Sequence, residues 1–163
     1  VPESDDSLIH DDFSFTAYES KANKEELMLF MNAAFKARDE NLDGELAQAI
    51  YNIWYEQFEL AEAKGQLGFV CRSFSNDFAG CITAAYVSKK QEEVMILTNL
   101  FVPEAFRGLG IGTELISMCL SEFKKLGKKW LILPKMIIPD FLEPLLLRTG
   151  FDKIDSGYAV NLQ

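Results

Sequence analysis

The chain has 163 residues, of which 48% are hydrophobic and 25% charged, a composition typical of a folded globular protein and unlike that of a disordered one. The net charge of −9 is concentrated in residues 1–63, which carry 15 acids and 4 bases, whereas residues 64–163 carry 10 acids and 12 bases. The acidic first part disfavours nucleic-acid binding, which needs clustered lysine and arginine, and is compatible with either a cationic partner or a solvated acidic surface.

The ends and cysteines of the chain indicate a soluble protein of a reducing compartment. Apolar runs fall far short of the ~20 residues that a membrane span needs. Residues 1–12 lack the basic and apolar regions of a secretory signal, so they are predicted to be a flexible lead-in to one domain covering residues 1–163. The three cysteines lack CxxC spacing, and His10 gives them no partner for zinc. We therefore expect buried free thiols, no metal, no membrane partner and a cytoplasmic location.

The first third of the chain predicts one strand and two helices. Phe13–Tyr18 alternates apolar and polar residues as a half-buried strand does, and residues 23–37 carry an apolar stripe behind Asn23, the predicted N-cap. A second helix is predicted over residues 44–65. The linker between the helices begins like an EF-hand loop at Asp39, but Ile50 stands where calcium needs a glutamate, so a turn is predicted.

The rest of the chain alternates strands with two more helices, which completes a mixed α/β sheet in the order β-α-α-β-β-β-α-β-α-β-β. A nearly continuous apolar strand, VMILTNLFV, is predicted to be central in the sheet. Pro144 is expected to kink or shorten the last helix. The predicted elements are a hairpin of LGFVCRSF and FAGCITAAYV, the strand VMILTNLFV, a helix over residues 110–126, the strand KKWLILP, a helix over residues 139–150 and a hairpin of FDKID and YAVNL.

Three glycines are crowded between the central strand and the following helix, in the sequence FRGLGIGTEL. Successive backbone N–H groups without Cβ atoms form an anion-binding concavity, and the helix dipole adds positive potential, so a phosphate group is predicted to bind here. The Gly-Lys-Ser/Thr ending of a Walker A loop is absent. The spacing is GxGxG and the next strand ends in Pro134-Lys135, so the dinucleotide fingerprint is absent as well.

This stretch resembles motif A of the GNAT superfamily of acyl-CoA-dependent N-acyltransferases. The motif is Arg or Gln, two residues, Gly, one residue, and Gly or Ala, and it is filled by Arg107, Gly110 and Gly112. The predicted order of elements also matches the family from Phe13 to Leu162. The resemblance implies the GNAT fold, an α/β fold with a mixed, mostly antiparallel sheet flanked by helices. It also implies acetyl-CoA or another acyl-CoA as co-substrate and a primary amine of a small molecule or peptide as acceptor.

The resemblance assigns the cofactor-binding residues by position. Backbone groups at the end of the central strand would pair with the pantetheine amides, and those of the glycine-rich turn would bind the pyrophosphate. The residues are Leu100, Phe101 and Val102 in the strand, and Arg107, Gly108, Leu109, Gly110, Ile111 and Gly112 in the turn, with Thr113 close by. Five downstream lysines could neutralise nucleotide phosphates: Lys124, Lys125, Lys128, Lys129 and Lys135.

The catalytic acid that many family members carry is missing from this chain. The resemblance places that tyrosine four residues before the Gly150-Phe151 pair, where this sequence has Leu146. Tyr158 and Asn99 are our candidate catalytic residues, while Thr98, Cys119, Tyr86 and a proton from solvent are further alternatives. A non-catalytic acyl-CoA-binding or regulatory module of the same fold is the alternative function. Apolar residues around Phe141–Leu147 would support a homodimer, although core packing explains them equally well.

Overall fold

The computed structural model describes residues 12–28, 66–86, 92–135, 138 and 140–163, together with residues 45, 49, 52, 56 and 59. Within these residues seven strands form one sheet in the order β1-β2-β3-β4-β5-β7-β6. The strands are β1 (Phe13–Ala17), β2 (Leu67–Ser73), β3 (Phe78–Tyr86), β4 (Val94–Phe101), β5 (Trp130–Pro134), β6 (Asp152–Ile154) and β7 (Gly157–Asn161). The apolar strand β4 is fourth of seven, as its sequence predicts.

The described helices are α1 (residues 20–28), α2 (Ile111–Lys125) and α3 (Glu143–Arg148), and residues 45, 49, 52, 56 and 59 are also helical. Single turns of 3₁₀ helix cover Glu104–Phe106 and Asp140–Leu142. Pro144 lies in the first turn of α3, where its missing N–H needs no partner, and α3 covers six residues. The EF-hand-like segment, His10, the lead-in 1–11 and most of the second predicted helix lie outside the described residues.

The two faces of the sheet carry different helices. Val70 packs in one cluster with Leu27 of α1, whereas its neighbour Cys71 packs in a second cluster with Leu115 and Phe123 of α2. Adjacent residues of a strand point to opposite faces, so α1 and α2 cover opposite sides of the sheet. Leu146 of α3 belongs to the α2 cluster. We call these two sides the α1 face and the α2 face.

The start of α1 differs from the prediction that Asn23 is its N-cap. The helix begins at residue 20, and the buried side chain of Asn23 accepts a hydrogen bond from the N–H of Glu19 at 2.9 Å. The prediction is wrong because Asn23 satisfies the end of the helix from inside the first turn. Glu26 makes a two-bond ion pair with Arg72 of β2 at 2.6 and 3.2 Å, which ties α1 to the sheet.

Pairing with β3 continues along β4 beyond the point where pairing with β5 stops. The parallel β4–β5 pairs are Val94–Trp130, Met95–Leu131 and Ile96–Ile132. Antiparallel pairing with β3 runs on to Phe101. The two parallel strands therefore separate after Ile96, and we call the gap between Leu97–Phe101 and the end of β5 the β4–β5 cleft.

The two clusters account for the three cysteines, with Cys71 and Cys119 on the α2 face and Cys81 on the α1 face, and burial differs along the predicted dimer segment. Cys71, Cys81 and Cys119 are free and buried, as predicted. Within the segment Phe141–Leu147, Phe141 is 77% exposed and Leu147 is 47% exposed, while Leu146 is buried. The segment is thus part core and part surface. Among the helices that the structure describes, none combines the length and hydrophobicity of a membrane span.

Gly157, at the start of β7, allows that strand to approach β5 closely. A Cβ atom added there would collide with the carbonyl oxygen of Leu133, and the φ of Gly157 is +152°. We expect Gly157→Ala to lower the free energy of unfolding by about 2–4 kcal/mol through overpacking and backbone strain. Urea denaturation followed by circular dichroism measures the loss.

Gly150→Ala is the matched control for this prediction. Gly150 has a φ of +104°, and an added Cβ would meet nothing within 4 Å, so only backbone strain is expected, about 1–2 kcal/mol. Equal losses in the two variants would contradict the close approach of β7 to β5.

Candidate functional site

The glycine-rich turn lies directly after β4 and at the start of α2. We call residues 107–112 the glycine turn. Gly108 and Gly110 have φ values of +81° and +85°, in the left-handed region that favours glycine, and Gly110 is the N-cap of α2. A Cβ at Gly108 would meet nothing within 4 Å, and one at Gly112 would touch only Val102, at 3.8 Å. The space in front of the turn is therefore open to a ligand.

The N–H groups of this turn are arranged to bind an anion. The N–H of Glu114 donates to the carbonyl of Gly110 at 3.0 Å, so the residues before Glu114 belong to the helix start, where N–H groups lack intrahelical partners. The N–H of Arg107 already donates to the carbonyl of Glu104 at 3.2 Å. We therefore expect the binding surface to begin at Gly108 and to extend to Thr113, which is exposed in the first turn of α2.

Contacts on both sides hold the glycine turn in place. The Nε of Arg107 donates to the carbonyl oxygen of Val102 at 3.0 Å, which closes the loop between β4 and the turn. The ring of Phe106 packs edge-to-face on Phe13 of β1, with centroids 5.9 Å apart. Gly80 of β3 lets α2 approach the sheet, because a Cβ there would lie 3.0 Å from the Cγ2 of Ile111.

Four of the five downstream lysines lie away from the glycine turn. Lys124 and Lys125 are in the last turn of α2, which at 1.5 Å per residue is about 20 Å from its start. The ammonium of Lys128 lies over the ring of Tyr86, 4.3 Å from its centroid, and Lys129 pairs with Glu93 at 3.7 Å. These four lysines therefore lie near the end of α2 and away from the glycine turn, so they do not support charge neutralisation at the turn itself.

A one-residue bulge in β4 lies beside the β4–β5 cleft. Thr83 of β3 pairs with Asn99, but Ala84 pairs with Leu97, so Thr98 is the extra residue. Beyond the bulge, the side chains of β4 point to the opposite faces from those that regular alternation would give them, as the residues on either side of Thr98 show. Met95 and Leu97 pack in the α2 cluster, whereas Phe101 packs against the α1 cluster.

The bulge brings Thr98 and Asn99 to the hydroxyl of one residue, Thr83. The Oγ1 atoms of Thr83 and Thr98 are 2.7 Å apart, and the Nδ2 of Asn99 donates to the Oγ1 of Thr83 at 3.1 Å. The hydroxyl of Thr98 also donates to the Oε1 of Gln66 at 2.5 Å. Thr83 and Asn99 are buried. We call these four residues the polar network.

Asn99 and Thr98 were candidates from the sequence, but Gln66 and Thr83 were not. Gln66 and Thr83 come from separate segments, so no spacing links them to the bulge. One signal was available: apart from Tyr86 at its end, Thr83 is the only side chain with a hydroxyl in the otherwise apolar strand FAGCITAAY. Thr83 shares the α1 face with Cys81, two residues before it, so the network lies opposite α2.

Tyr158, the other catalytic candidate, lies in β7 opposite Leu133 of β5 and is 2% exposed. Its hydroxyl interacts with the carboxylate of Glu143, which pairs with the ammonium of Lys153 at 3.0 Å. The hydrogen bond from Lys153 lowers the pKa of Glu143. Burial raises the pKa of the Tyr158 phenol, and the Glu143 carboxylate raises it further.

Leu146, at the position of the missing acid, and the candidate Cys119 both lie in packed surroundings. Leu146 is buried, and its carbonyl accepts hydrogen bonds from the N–H of Phe151 at 3.0 Å and the hydroxyl of Thr149 at 2.9 Å. Burial raises the pKa of the Cys119 thiol to about 12, with a further contribution from Glu122. A thiol with that pKa is a weak proton donor. In the described residues, no three His, Cys, Asp or Glu side chains are grouped as metal ligands.

Comparisons with known proteins identify the family of the chain and agree with its fold. The sequence profile of the Acetyltransferase (GNAT) family matches residues 29–134. A GNAT-family acetyltransferase from Staphylococcus aureus has a similar structure, with a TM-score of 0.62, 18% identity and coverage of 93% of this chain and 99% of that one. No curated protein sequence matches the chain.

Two similar structures contain coenzyme A. The PaiA N-acetyltransferase of Thermoplasma acidophilum has a TM-score of 0.63 and 14% identity, over 91% of this chain and 99% of that one. A GNAT family N-acetyltransferase of Escherichia coli has a TM-score of 0.56 and 13% identity, over 93% of this chain and 82% of that one. At these identities the likeness shows a shared fold.

Proposed function

The chain belongs to the GNAT family of acyl-CoA-dependent N-acetyltransferases, and we propose that it transfers an acetyl group from acetyl-CoA to a primary amine. The observation that carries this proposal is the glycine turn, with Gly108 and Gly110 at positive φ and open space in front of Gly108. A pyrophosphate is an anion that matches a run of backbone N–H groups at the start of a helix. The coenzyme supplies a thioester, which is the source of the acyl group.

The proposed coenzyme site continues from the glycine turn into the β4–β5 cleft. Leu100, Phe101 and Val102 lie beyond Ile96, the last residue of β4 that pairs with β5. Backbone groups of a strand edge bind amides in the manner of an added strand, so we propose that these residues pair with the pantetheine amides. The N–H groups near Phe101 and Val102 would then polarise the thioester carbonyl.

Asn99 is our proposed catalytic residue. In the reaction a C–S bond breaks, a C–N bond forms, the amine loses a proton and the thiolate gains one. A carboxamide is neutral, so Asn99 would orient the amine by hydrogen bonding and would not remove its proton. Its place at the bulge, on the α1 face and next to the β4–β5 cleft, supports this role.

We propose that solvent protonates the departing thiolate. Tyr158 remains the candidate among side chains, but its pKa is raised above the usual ~10 of tyrosine, whereas an ordinary thiol has a pKa of about 8.5. Proton transfer from this phenol to a thiolate is therefore unfavourable. Positioning alone can supply much of the rate of such a reaction.

The acceptor is proposed to bind on the α1 face and to carry a second positive charge, as in a polyamine, an aminoglycoside-like compound or a lysine-containing peptide. The support is the acid excess of residues 1–63. Glu26 and Glu59 of this part pair with Arg72 and Lys24, so other exposed carboxylates would attract the acceptor, among them Glu19, Glu25 and Glu56. A homodimer through Phe141 and Leu147 also remains a prediction.

A panel of matched amines tests turnover and charge preference together. Purified protein is mixed with acetyl-CoA and either 1,5-diaminopentane or 5-aminopentan-1-ol, and free thiol release is followed. We expect thiol release with a kcat/KM about tenfold higher for the diamine, a difference that shrinks as salt screens exposed charges.

Two outcomes would contradict parts of this proposal. Equal kcat/KM values for the two amines would contradict the proposal that the acceptor carries a second positive charge. Tight coenzyme A binding with no thiol release for any amine would favour the non-catalytic acyl-CoA-binding module, to which the buried Leu146 also points.

A pair of glycine substitutions tests the coenzyme site separately. Gly108 and Gly127 have φ values of +81° and +77°, and a Cβ at either would meet nothing within 4 Å. Alanine at either position therefore costs similar backbone strain, about 1–2 kcal/mol. Only Gly108→Ala places a methyl group at the proposed pyrophosphate site.

We expect Gly108→Ala to weaken coenzyme A binding about tenfold, corresponding to 1.4 kcal/mol, and Gly127→Ala to leave it within twofold. Isothermal titration calorimetry with coenzyme A measures both. Equal affinities of the two variants would show that the glycine turn does not bind the coenzyme.

A further inference from the structure

Strand β5 is paired for different lengths along its two edges. On the β7 side, pairing includes Pro134, and the N–H of Lys135 still donates to the carbonyl of Ser156 at 2.9 Å. On the β4 side, the last pair is Ile96–Ile132. Because β5 remains a regular strand beyond Ile132, the end of β5 does not explain why β4 separates from it.

The backbone of Pro134 is directed toward β4. The N–H of Trp130 donates to the carbonyl of Glu93 at 3.2 Å, so this residue of β5 faces β4, whereas Lys135 faces the β7 side. The backbone groups of successive strand residues point alternately to the two edges of the strand. Ile132 and Pro134 therefore face β4, as Trp130 does.

Pro134 lacks the group that the next hydrogen bond of the ladder needs. The pair Ile96–Ile132 uses the N–H of Leu97 and the carbonyl of Ile132, as parallel pairing requires. The following bond would run from the N–H of residue 134 to the carbonyl of Leu97. Proline has no N–H, so this bond cannot form and the parallel pairing ends after Ile96.

The bulge in β4 does not account for the loss of this bond. Leu97 packs in the α2 cluster together with Met95, so the regular alternation of β4 still holds at Leu97. The irregularity begins with the next residue, Thr98. The β4–β5 cleft thus begins where Pro134 ends the pairing on β5, and the bulge follows directly on β4.

We propose that Pro134 is a positioning residue that keeps the β4–β5 cleft open for the pantetheine arm of coenzyme A by withholding an N–H donor from β4. The inference rests on the proposed function, in which the coenzyme runs from the glycine turn along Leu100–Val102. In that arrangement the pantetheine arm occupies the cleft, while the nucleotide and its pyrophosphate lie outside it. Closing the cleft should therefore affect only the pantetheine arm.

Pro134→Ala supplies the missing donor and tests the proposal with two ligands. We expect the variant to bind coenzyme A about tenfold more weakly, because an extended β4–β5 ladder competes with the pantetheine amides for the strand edge. Binding of 3′-phosphoadenosine 5′-diphosphate, which has the pyrophosphate but no pantetheine, should stay within about twofold of the wild type. Isothermal titration calorimetry measures both affinities.

Pro144→Ala is the matched control, because it removes a proline ring in the first turn of α3, where no ladder bond can form. Its affinity for coenzyme A should stay within about twofold of the wild type. Coenzyme A affinity within twofold of the wild type in Pro134→Ala would overturn the proposal. Equal losses for the two ligands in Pro134→Ala would overturn the assignment to the pantetheine arm.

A readout without coenzyme separates this proposal from the proposed function. In Pro134→Ala labelled with ¹⁵N-alanine, the new amide at position 134 should exchange with solvent at least about 100-fold more slowly than an unpaired amide. Rapid exchange would overturn the proposal even if coenzyme affinity falls, because the ring and not the missing donor would then be responsible. A wild type that binds no coenzyme A would instead overturn the proposed function, and a protected new amide would still support Pro134 as the residue that ends the pairing.

Discussion

The bulge at Thr98 is the constraint on which the rest of the site depends. Because one extra residue stands opposite Thr83, the central strand β4 directs Met95 and Leu97 toward α2 but Phe101 toward α1. The same shift brings Asn99 onto the α1 face, at the point where pairing with β5 has ended. A regular strand would direct Asn99 into the apolar packing beneath α2.

The two halves of the proposed site use different chemistry. On the α2 side, the glycine turn offers backbone N–H groups, and Lys124 and Lys125 lie at the far end of the helix. The Nε of Arg107 donates to the carbonyl oxygen of Val102, so this side chain holds the loop between β4 and the glycine turn. On the α1 side, the polar network is neutral, and the ion pair of Glu26 with Arg72 neutralises a carboxylate of α1. Acyl transfer here would depend on positioning more than on acid–base side chains.

Much of the fold could be predicted from the sequence, because apolar periodicity and glycine placement report directly on helices, strands and turns. The order of elements and the central position of β4 are examples. The bulge could not be predicted, since VMILTNLFV is apolar on both faces and its alternation does not reveal a one-residue shift. The sequence did not predict the start of α1 correctly, because the side chain that accepts from the N–H of Glu19 is Asn23, which lies inside the helix.

Some site residues could be predicted from the sequence and others could not, for the same physical reason. The glycine turn is contiguous, so its pattern is visible in the sequence, whereas Gln66 and Thr83 join Asn99 only through strand register. The positions of the lysines required the length and direction of α2.

The central claim is that backbone groups of the glycine turn bind the coenzyme. A crystal structure of the protein with coenzyme A tests it most directly. We expect pyrophosphate oxygens within about 3 Å of N–H groups between Gly108 and Thr113, and the pantetheine along Leu100–Val102. A coenzyme bound elsewhere, or a pyrophosphate bound by lysine side chains at the end of α2, would contradict the claim.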